Sequence, residues 1–167
     1  MAEQPRSRVD DLLRNAERHA AVFTAGELPA PPALSVAIVT CMDARIDLFK
    51  LFGLHLGEVH VIRNGGGLVT EDVLRSLTLS QAMLGTREVM VIQHTRCGLM
   101  GDEDDLRRRV ADATGIEPPW TIGAFEDVED SVRRQVEILR ESPHLLAGKS
   151  ARGFVYDVET GELREVS

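Results

Sequence analysis

One short stretch decides the fold: residues 34–45 read LSVAIVTCMDAR. Its first part, residues 34–39, is almost continuously apolar, contains β-branched side chains and follows a cluster of prolines. Such a run predicts a strand that is buried on both faces, as strands of a parallel sheet are. Cys41 comes almost directly after the run, so we expect a thiol at the carboxyl end of a buried strand.

Strands and helices alternate along the rest of the chain. Further strands are predicted at 59–62, 89–92 and 154–158, with a possible antiparallel edge strand at 163–166. Helices are predicted at 47–52, at 70–84 with Thr70 as the cap, from Asp102 to Gly115, and along the apolar stripe Phe125, Val128, Val132, Val136 and Leu139. This alternation predicts an α/β fold with a mainly parallel central sheet of four strands flanked by helices.

Residues 1–33 are predicted to form a helical arm ahead of one α/β domain at residues 34–167. The arm's helix has apolar residues at spacings of three and four: Val9, Leu12, Leu13, Ala16, Ala20 and Phe23. Gly26 and three prolines then form a stiff connector. A helix on such an arm either folds back or lies on a second subunit, and the pattern leaves both open.

Composition narrows the class of protein. A chain of 167 residues has the size of a single domain. Its 19 basic and 27 acidic residues give a net charge of −8, which disfavours nucleic-acid and membrane-surface partners. No apolar stretch approaches the roughly 20 residues needed to span a bilayer. The first ten residues lack an apolar signal core, and two cysteines exclude a disulfide framework. We therefore expect a reduced, cytoplasmic protein.

Two thiols and one imidazole are predicted to meet at one edge of the sheet. Cys41 follows the first strand, and His94 and Cys97 follow the third. The carboxyl ends of parallel strands share an edge, where ligands usually bind. Sulfur and imidazole together favour zinc, and three protein ligands leave a fourth position open, as in catalytic zinc sites. Taken singly, each cysteine could equally be a small core residue, but a thiol redox pair lacks its Cys-x-x-Cys motif.

Two neighbouring segments are predicted to complete this edge. Asp43 and Arg45 alternate with Cys41, so all three can face one side. Asp43 is then either a fourth ligand or an acceptor for a metal-bound water, with Arg45 holding its carboxylate. The glycines Gly65 to Gly67 lack the pattern of a phosphate-binding loop. They more plausibly let the backbone pass close to the metal or to a partner subunit.

Three motifs in this order resemble the signatures of β-class carbonic anhydrases. They are Cys41-Met42-Asp43-Ala44-Arg45, Arg63-Asn64-Gly65-Gly66 and His94-Thr95-Arg96-Cys97-Gly98. The similarity runs from about residue 34 to residue 158, and the length resembles that of compact bacterial members.

The resemblance implies one zinc ion per chain, bound by Cys41, His94 and Cys97. Asp43 would close the fourth position, or pair with Arg45 and admit water. Arg63, Asn64, Gly65, Gly66 and Gly98 would form the loops around the substrate. The implied reaction is the reversible hydration of carbon dioxide. The implied assembly is a homodimer or homotetramer with an exchanged N-terminal helix and an active site near the dimer interface.

Some residues depart from the family pattern, and the substrate has more than one candidate. Gly65 replaces a common alanine, and Arg96 lies between the paired ligands where compact members often carry an acidic or small residue. The glutamine and aromatic residues of the usual substrate pocket have no assigned counterpart. The same zinc site also serves hydrolases of carbonyl sulfide and carbon disulfide, and a non-catalytic zinc-binding module is the third hypothesis. His60 could relay protons if it lined this edge.

Overall fold

A five-stranded sheet forms the centre of the protein in a computed structural model that describes residues 7–167. In chain order, the strands are β1 (Val36–Cys41), β2 (Val59–Asn64), β3 (Glu88–His94), β4 (Ala151–Tyr156) and β5 (Leu163–Glu165). Their spatial order is β2-β1-β3-β4-β5. The first three pairings are parallel, and β5 runs antiparallel to β4. The predicted fold class, including the antiparallel edge strand, is therefore confirmed.

Among residues 7–167, five α-helices precede or connect these strands. They are α1 (Arg8–Ala20), α2 (Leu48–Phe52), α3 (Glu71–Leu84), α4 (Glu103–Thr114) and α5 (Val128–Glu141). Thr70 and Asp102 accept hydrogen bonds from the first turns of α3 and α4, as their positions in the sequence predicted. Phe125 lies outside α5, because Asp127 caps that helix two residues later. It is instead buried beside a bridge to Met100.

The strand ends differ from the predicted ones by a few residues. β1 starts and ends two residues later than the apolar run, since Ser35 has a left-handed backbone (φ 56°) that precedes the ladder. Thr40 and Cys41 continue the strand by pairing with Arg63 and Asn64. β4 similarly starts at Ala151, opposite Val89. Cys41 and His94 are consequently the last residues of β1 and β3.

The two faces of the sheet are covered differently. α3 and α5 pack on one face, where the fully buried side chains include Leu77, Val91 and Val132. Gly153 allows α5 to approach β4, because a Cβ there would lie 2.4 Å from Val132. The opposite face is covered by the short α2 and by loops. Several apolar residues there are only partly buried: Val36, Leu54, Val59, Val61 and Met90.

The first helix has no buried side chain in this chain. Leu12 and Leu13, on its apolar stripe, are 66% and 58% exposed. Among residues 7–167, no helix combines the length and the apolar character needed to cross a membrane.

Candidate metal centre

The carboxyl ends of β1 and β3 bring together two thiols and an imidazole. One ligand atom from each of Cys41, His94 and Cys97 lies within 4.8 Å of the others, and all three residues are buried. The parallel register of β1 with β3 produces this contact between residues more than fifty positions apart in the sequence. The predicted convergence at one sheet edge is thus present.

The turn after β3 presents His94 and Cys97 to the same point. Arg96 has a left-handed backbone (φ 53°), and the Thr95 N–H donates to the carbonyl of Tyr156 at 3.0 Å. The guanidinium of Arg96 lies 2.9 Å from the carboxylate of Glu159. The positive charge that distinguishes this turn from the family pattern is therefore paired with a neighbouring carboxylate.

His94 is oriented for coordination through Nε2. Its Nδ1 is 2.8 Å from the carbonyl of Thr95, so Nδ1 carries the hydrogen and Nε2 keeps a free lone pair. Nε2 is buried, and no residue in the described part of the chain hydrogen-bonds to it. An unpaired buried polar atom costs about 1–3 kcal/mol. A cation at this point would pair that atom, so the residues fit a metal ion.

The two thiols have pKa values shifted in opposite directions. A hydrogen bond from Cys97 lowers the pKa of Cys41 to about 4, against the opposing effect of burial. The backbone N–H groups of Asp43 and Gly66 also lower the pKa of Cys41. The same thiol contact raises the pKa of Cys97. The site therefore stabilises negative charge on sulfur, which is the form that binds metal.

Asp43 reaches the same point and is held by Arg45. Its Oδ2 is 3.7 Å from Nε2 of His94. Arg45 donates from Nε to Oδ1 at 2.9 Å and from Nη2 to Oδ2 at 2.6 Å. Arg45 Nη2 also bonds to the carbonyl of Arg96 at 3.1 Å. The two-pronged pair holds the pKa of the Asp43 carboxyl well below its usual range. Asp43 is thus an ionised, 18% exposed acceptor beside the candidate ligands.

Arg63 and Asn64 hold the backbone that carries Cys41 and Asp43. Arg63 donates to the carbonyls of Cys41 and Asp43 at 2.9 and 2.7 Å. The Asn64 carbonyl accepts from the Met42 N–H at 2.8 Å, and its side chain forms two hydrogen bonds with Leu68. These contacts give both residues a structural part that sequence reasoning had not assigned.

The glycine turn packs directly against β1. Gly67 has a left-handed backbone (φ 63°), and a Cβ there would lie 2.9 Å from the Cys41 nitrogen. Only glycine therefore fits this position without a shift. Gly65 differs, since a Cβ would meet only the tip of Leu99, at 4.0 Å. The replacement of the family's alanine by Gly65 is accordingly a mild change.

The last two predicted positions, Gly98 and His60, lie in different places relative to the candidate metal centre. Gly98 lines a mostly apolar groove of about 380 Å³ beside α4, whose lining includes Leu99, Leu106, Val110 and Ile122 but none of the three candidate ligands. His60 lies early in β2, opposite Ala37, and its Nδ1 is 2.7 Å from the Ser80 hydroxyl. It does not line the carboxyl edge, so a role there in proton relay is not supported.

Comparison with known proteins decides the family. A family model described as carbonic anhydrase matches residues 36–120. Beta-carbonic anhydrase 1 of Mycobacterium tuberculosis is 45% identical over 159 residues, which cover 95% of this chain and 97% of that protein. The chain belongs to the β-carbonic anhydrase family.

Other members and relatives agree with this β-carbonic anhydrase assignment. The crystal structure of carbonic anhydrase from Streptococcus mutans superposes with a TM-score of 0.90 at 35% identity, covering 97% of this chain and 99% of that one. A carbon disulfide hydrolase of Acidithiobacillus thiooxidans is 32% identical over 148 residues, 76% of this chain and 74% of that relative. The resemblance predicted from the three motifs is confirmed.

Proposed function

We propose that this β-carbonic anhydrase is a zinc enzyme that interconverts carbon dioxide and bicarbonate. The observation that carries the proposal is the buried, unpaired Nε2 of His94, which faces two thiols at one sheet edge. Cys41, His94 and Cys97 would hold one Zn²⁺ per chain, because thiolate and imidazole are the ligands that zinc prefers. The bound ion supplies the Lewis acidity that the hydration reaction needs.

Asp43 accepts a hydrogen bond from the attacking water and orients it in this proposal. Its Oδ2 lies beside the candidate ligands, and Arg45 occupies both carboxylate oxygens and keeps the group ionised. An ionised carboxylate is an acceptor only, so it selects a water that presents a hydrogen to it. Pairing with Arg45 in this structure favours this role over that of a fourth metal ligand.

A sulfur analogue is the second candidate substrate. The 32% identity to a carbon disulfide hydrolase favours it, since carbon disulfide is a linear apolar molecule like carbon dioxide. Stopped-flow measurement of carbon dioxide hydration by the zinc-loaded protein tests the first candidate. Sulfide release from carbonyl sulfide and carbon disulfide under the same conditions tests the second.

The outcomes of these assays separate the hypotheses. Hydration far above the rate of the metal-free protein supports the carbonic anhydrase proposal. Sulfide release without hydration overturns it in favour of the hydrolase. Zinc binding with no turnover of any of the three substrates would leave only the non-catalytic module.

We also propose that the chain assembles as a homodimer or homotetramer in the cytoplasm. Residues 1–33 would form an arm, of which residues 1–6 lie outside the described part of the chain. Its helix α1 would pack on a partner's domain, which spans residues 34–167. The exposed leucines of α1 support this, as does the thinly covered sheet face. Exposed apolar surfaces of this kind commonly mark interfaces. Ligation through two reduced thiols is consistent with a reducing compartment.

A further inference from the structure

Gln93 is a buried polar residue in an apolar strand, directly before the candidate ligand His94. Side chains alternate along β3, so Gln93 shares the face of Val89 and Val91, opposite His94. Its side chain is fully buried, yet Oε1 has no hydrogen-bond partner among residues 7–167. A leucine or methionine would fill such a position without that cost, so the amide needs a specific explanation.

The Gln93 amide contacts the glycine turn that supports Cys41. Nε2 donates to the carbonyl of Gly66 at 2.6 Å, between residues 27 positions apart. Gly66 has a left-handed backbone (φ 77°) and is buried. The next residue, Gly67, packs against the Cys41 backbone. One peptide segment therefore joins the buried amide to a candidate metal ligand.

We infer that Gln93 is a positioning residue of the metal centre, which fixes the turn at Gly66 and Gly67 and through it the backbone that carries the Cys41 sulfur. This inference rests on the proposed metal site. Without the amide, the Gly66 carbonyl would lose its buried partner, and the turn could rotate to find another. The close packing of Gly67 on the Cys41 backbone would change with it. Groups that orient metal ligands in this way affect metal affinity without touching the ion.

Gln81 provides a matched control. It is also a buried glutamine with one paired and one unpaired amide atom: its Oε1 accepts from the Ala147 N–H at 3.1 Å, and its Nε2 has no partner in the described chain. It lies near the end of α3, in contact with the loop after α5 rather than with the glycine turn. Gln93→Met and Gln81→Met therefore each remove one hydrogen bond between a side chain and the backbone, with little change in volume.

The test compares metal binding by the parent and both variants, each prepared metal-free and titrated with Zn²⁺ against a chromogenic chelator. We expect Gln93→Met to weaken zinc binding by about 10- to 100-fold and Gln81→Met by less than about twofold. The Co²⁺-substituted Gln93→Met protein should also show a shifted thiolate-to-cobalt absorption band. Denaturant unfolding of the metal-free proteins should give similar losses of stability for the two variants.

Equal zinc affinities and cobalt spectra in the two variants would overturn the positioning role. A parent that binds no zinc would instead overturn the proposed metal site itself. If Gln93→Met does not fold, Gln93→Asn decides, because its amide is one methylene shorter and cannot keep the 2.6 Å bond unless the Gly66 turn moves. We expect this variant to weaken zinc binding by about 10- to 100-fold and to shift the cobalt band. Parent-like zinc affinity and an unshifted band would contradict the inference.

Discussion

The carboxyl edge of the sheet is buried by residues of one chain, whereas helix α1 is not. At the edge, Cys41, His94 and Cys97 are buried and their surroundings are hydrogen-bonded from several strands and loops. In α1, no side chain is buried, although its apolar stripe is well formed. The difference supports the two proposals that one chain holds the metal ion by itself and that α1 packs on a partner. The two properties should respond to different substitutions.

Removal of a candidate ligand is expected to have the largest effect on zinc binding. Cys97→Ser should reduce zinc affinity by more than about 100-fold, beyond the range expected for groups that only support a ligand. Elemental analysis after dialysis and stopped-flow hydration assays measure the loss. Met42→Ala is the control, because Met42 adjoins Cys41 but is 69% exposed. Stoichiometric zinc in Cys97→Ser would refute the ligand assignment.

A substitution of Asp43 is expected to separate zinc binding from catalysis at the same edge. Asp43→Asn should keep stoichiometric zinc and lower the hydration rate by about 10²- to 10⁴-fold, since an uncharged amide is a weaker acceptor for the attacking water and cannot form the two-pronged pair with Arg45. Asp47→Asn is matched to it, because Asp47 lies in the same segment but caps α2 and asparagine also caps helices. Full activity of Asp43→Asn would remove Asp43 from the mechanism.

A smaller effect tests how tightly the glycine turn packs on β1. Gly67→Ala and Gly85→Ala both place a Cβ on a left-handed backbone, but only Gly67 lacks space for it. We expect Gly85→Ala to lower the free energy of unfolding by about 1 kcal/mol and Gly67→Ala by at least about 2 kcal/mol. Urea unfolding of the metal-free proteins measures both. Equal losses would mean that the turn is not closely packed.

The smallest effect on the metal centre is expected from α1. Replacing both Leu12 and Leu13 by serine should reduce the sedimenting species to a single chain, because the exposed stripe loses its apolar contacts. Zinc per chain should stay unchanged. Loss of zinc in this variant would break the separation between edge and arm, and an unchanged oligomer would exclude α1 from the interface.

Much of the fold followed from local patterns with a clear physical cause. The helix caps Thr70 and Asp102 and the glycine ends of α3 and α4 were predicted correctly, because their signals are local. The ends of β1 were not, since Thr40 and Cys41 extend the strand beyond the apolar run by pairing with neighbouring strands. Phe125 was placed in α5 because a buried residue before a helix continues the apolar stripe.

The candidate site was predictable as far as topology determines it. Parallel strands bring their carboxyl ends together, so Cys41, His94 and Cys97 could be combined, and the spacing of Asp43 and Arg45 indicated their pairing. The part played by Gln93 could not be predicted, because it depends on which loop lies beneath the opposite face of β3. Its only sequence signal is a polar amide that follows an apolar run.

Because the candidate ligands lie far apart in the sequence, metal binding is coupled to folding. Cys41 belongs to β1, whereas His94 and Cys97 belong to β3 and the turn behind it, so an ion held by all three is a cross-link between distant segments. A ligand that binds only the folded chain raises the free energy of unfolding, by about 4 kcal/mol at a thousand times its dissociation constant. The melting temperature of this protein should therefore rise with the concentration of free zinc around it.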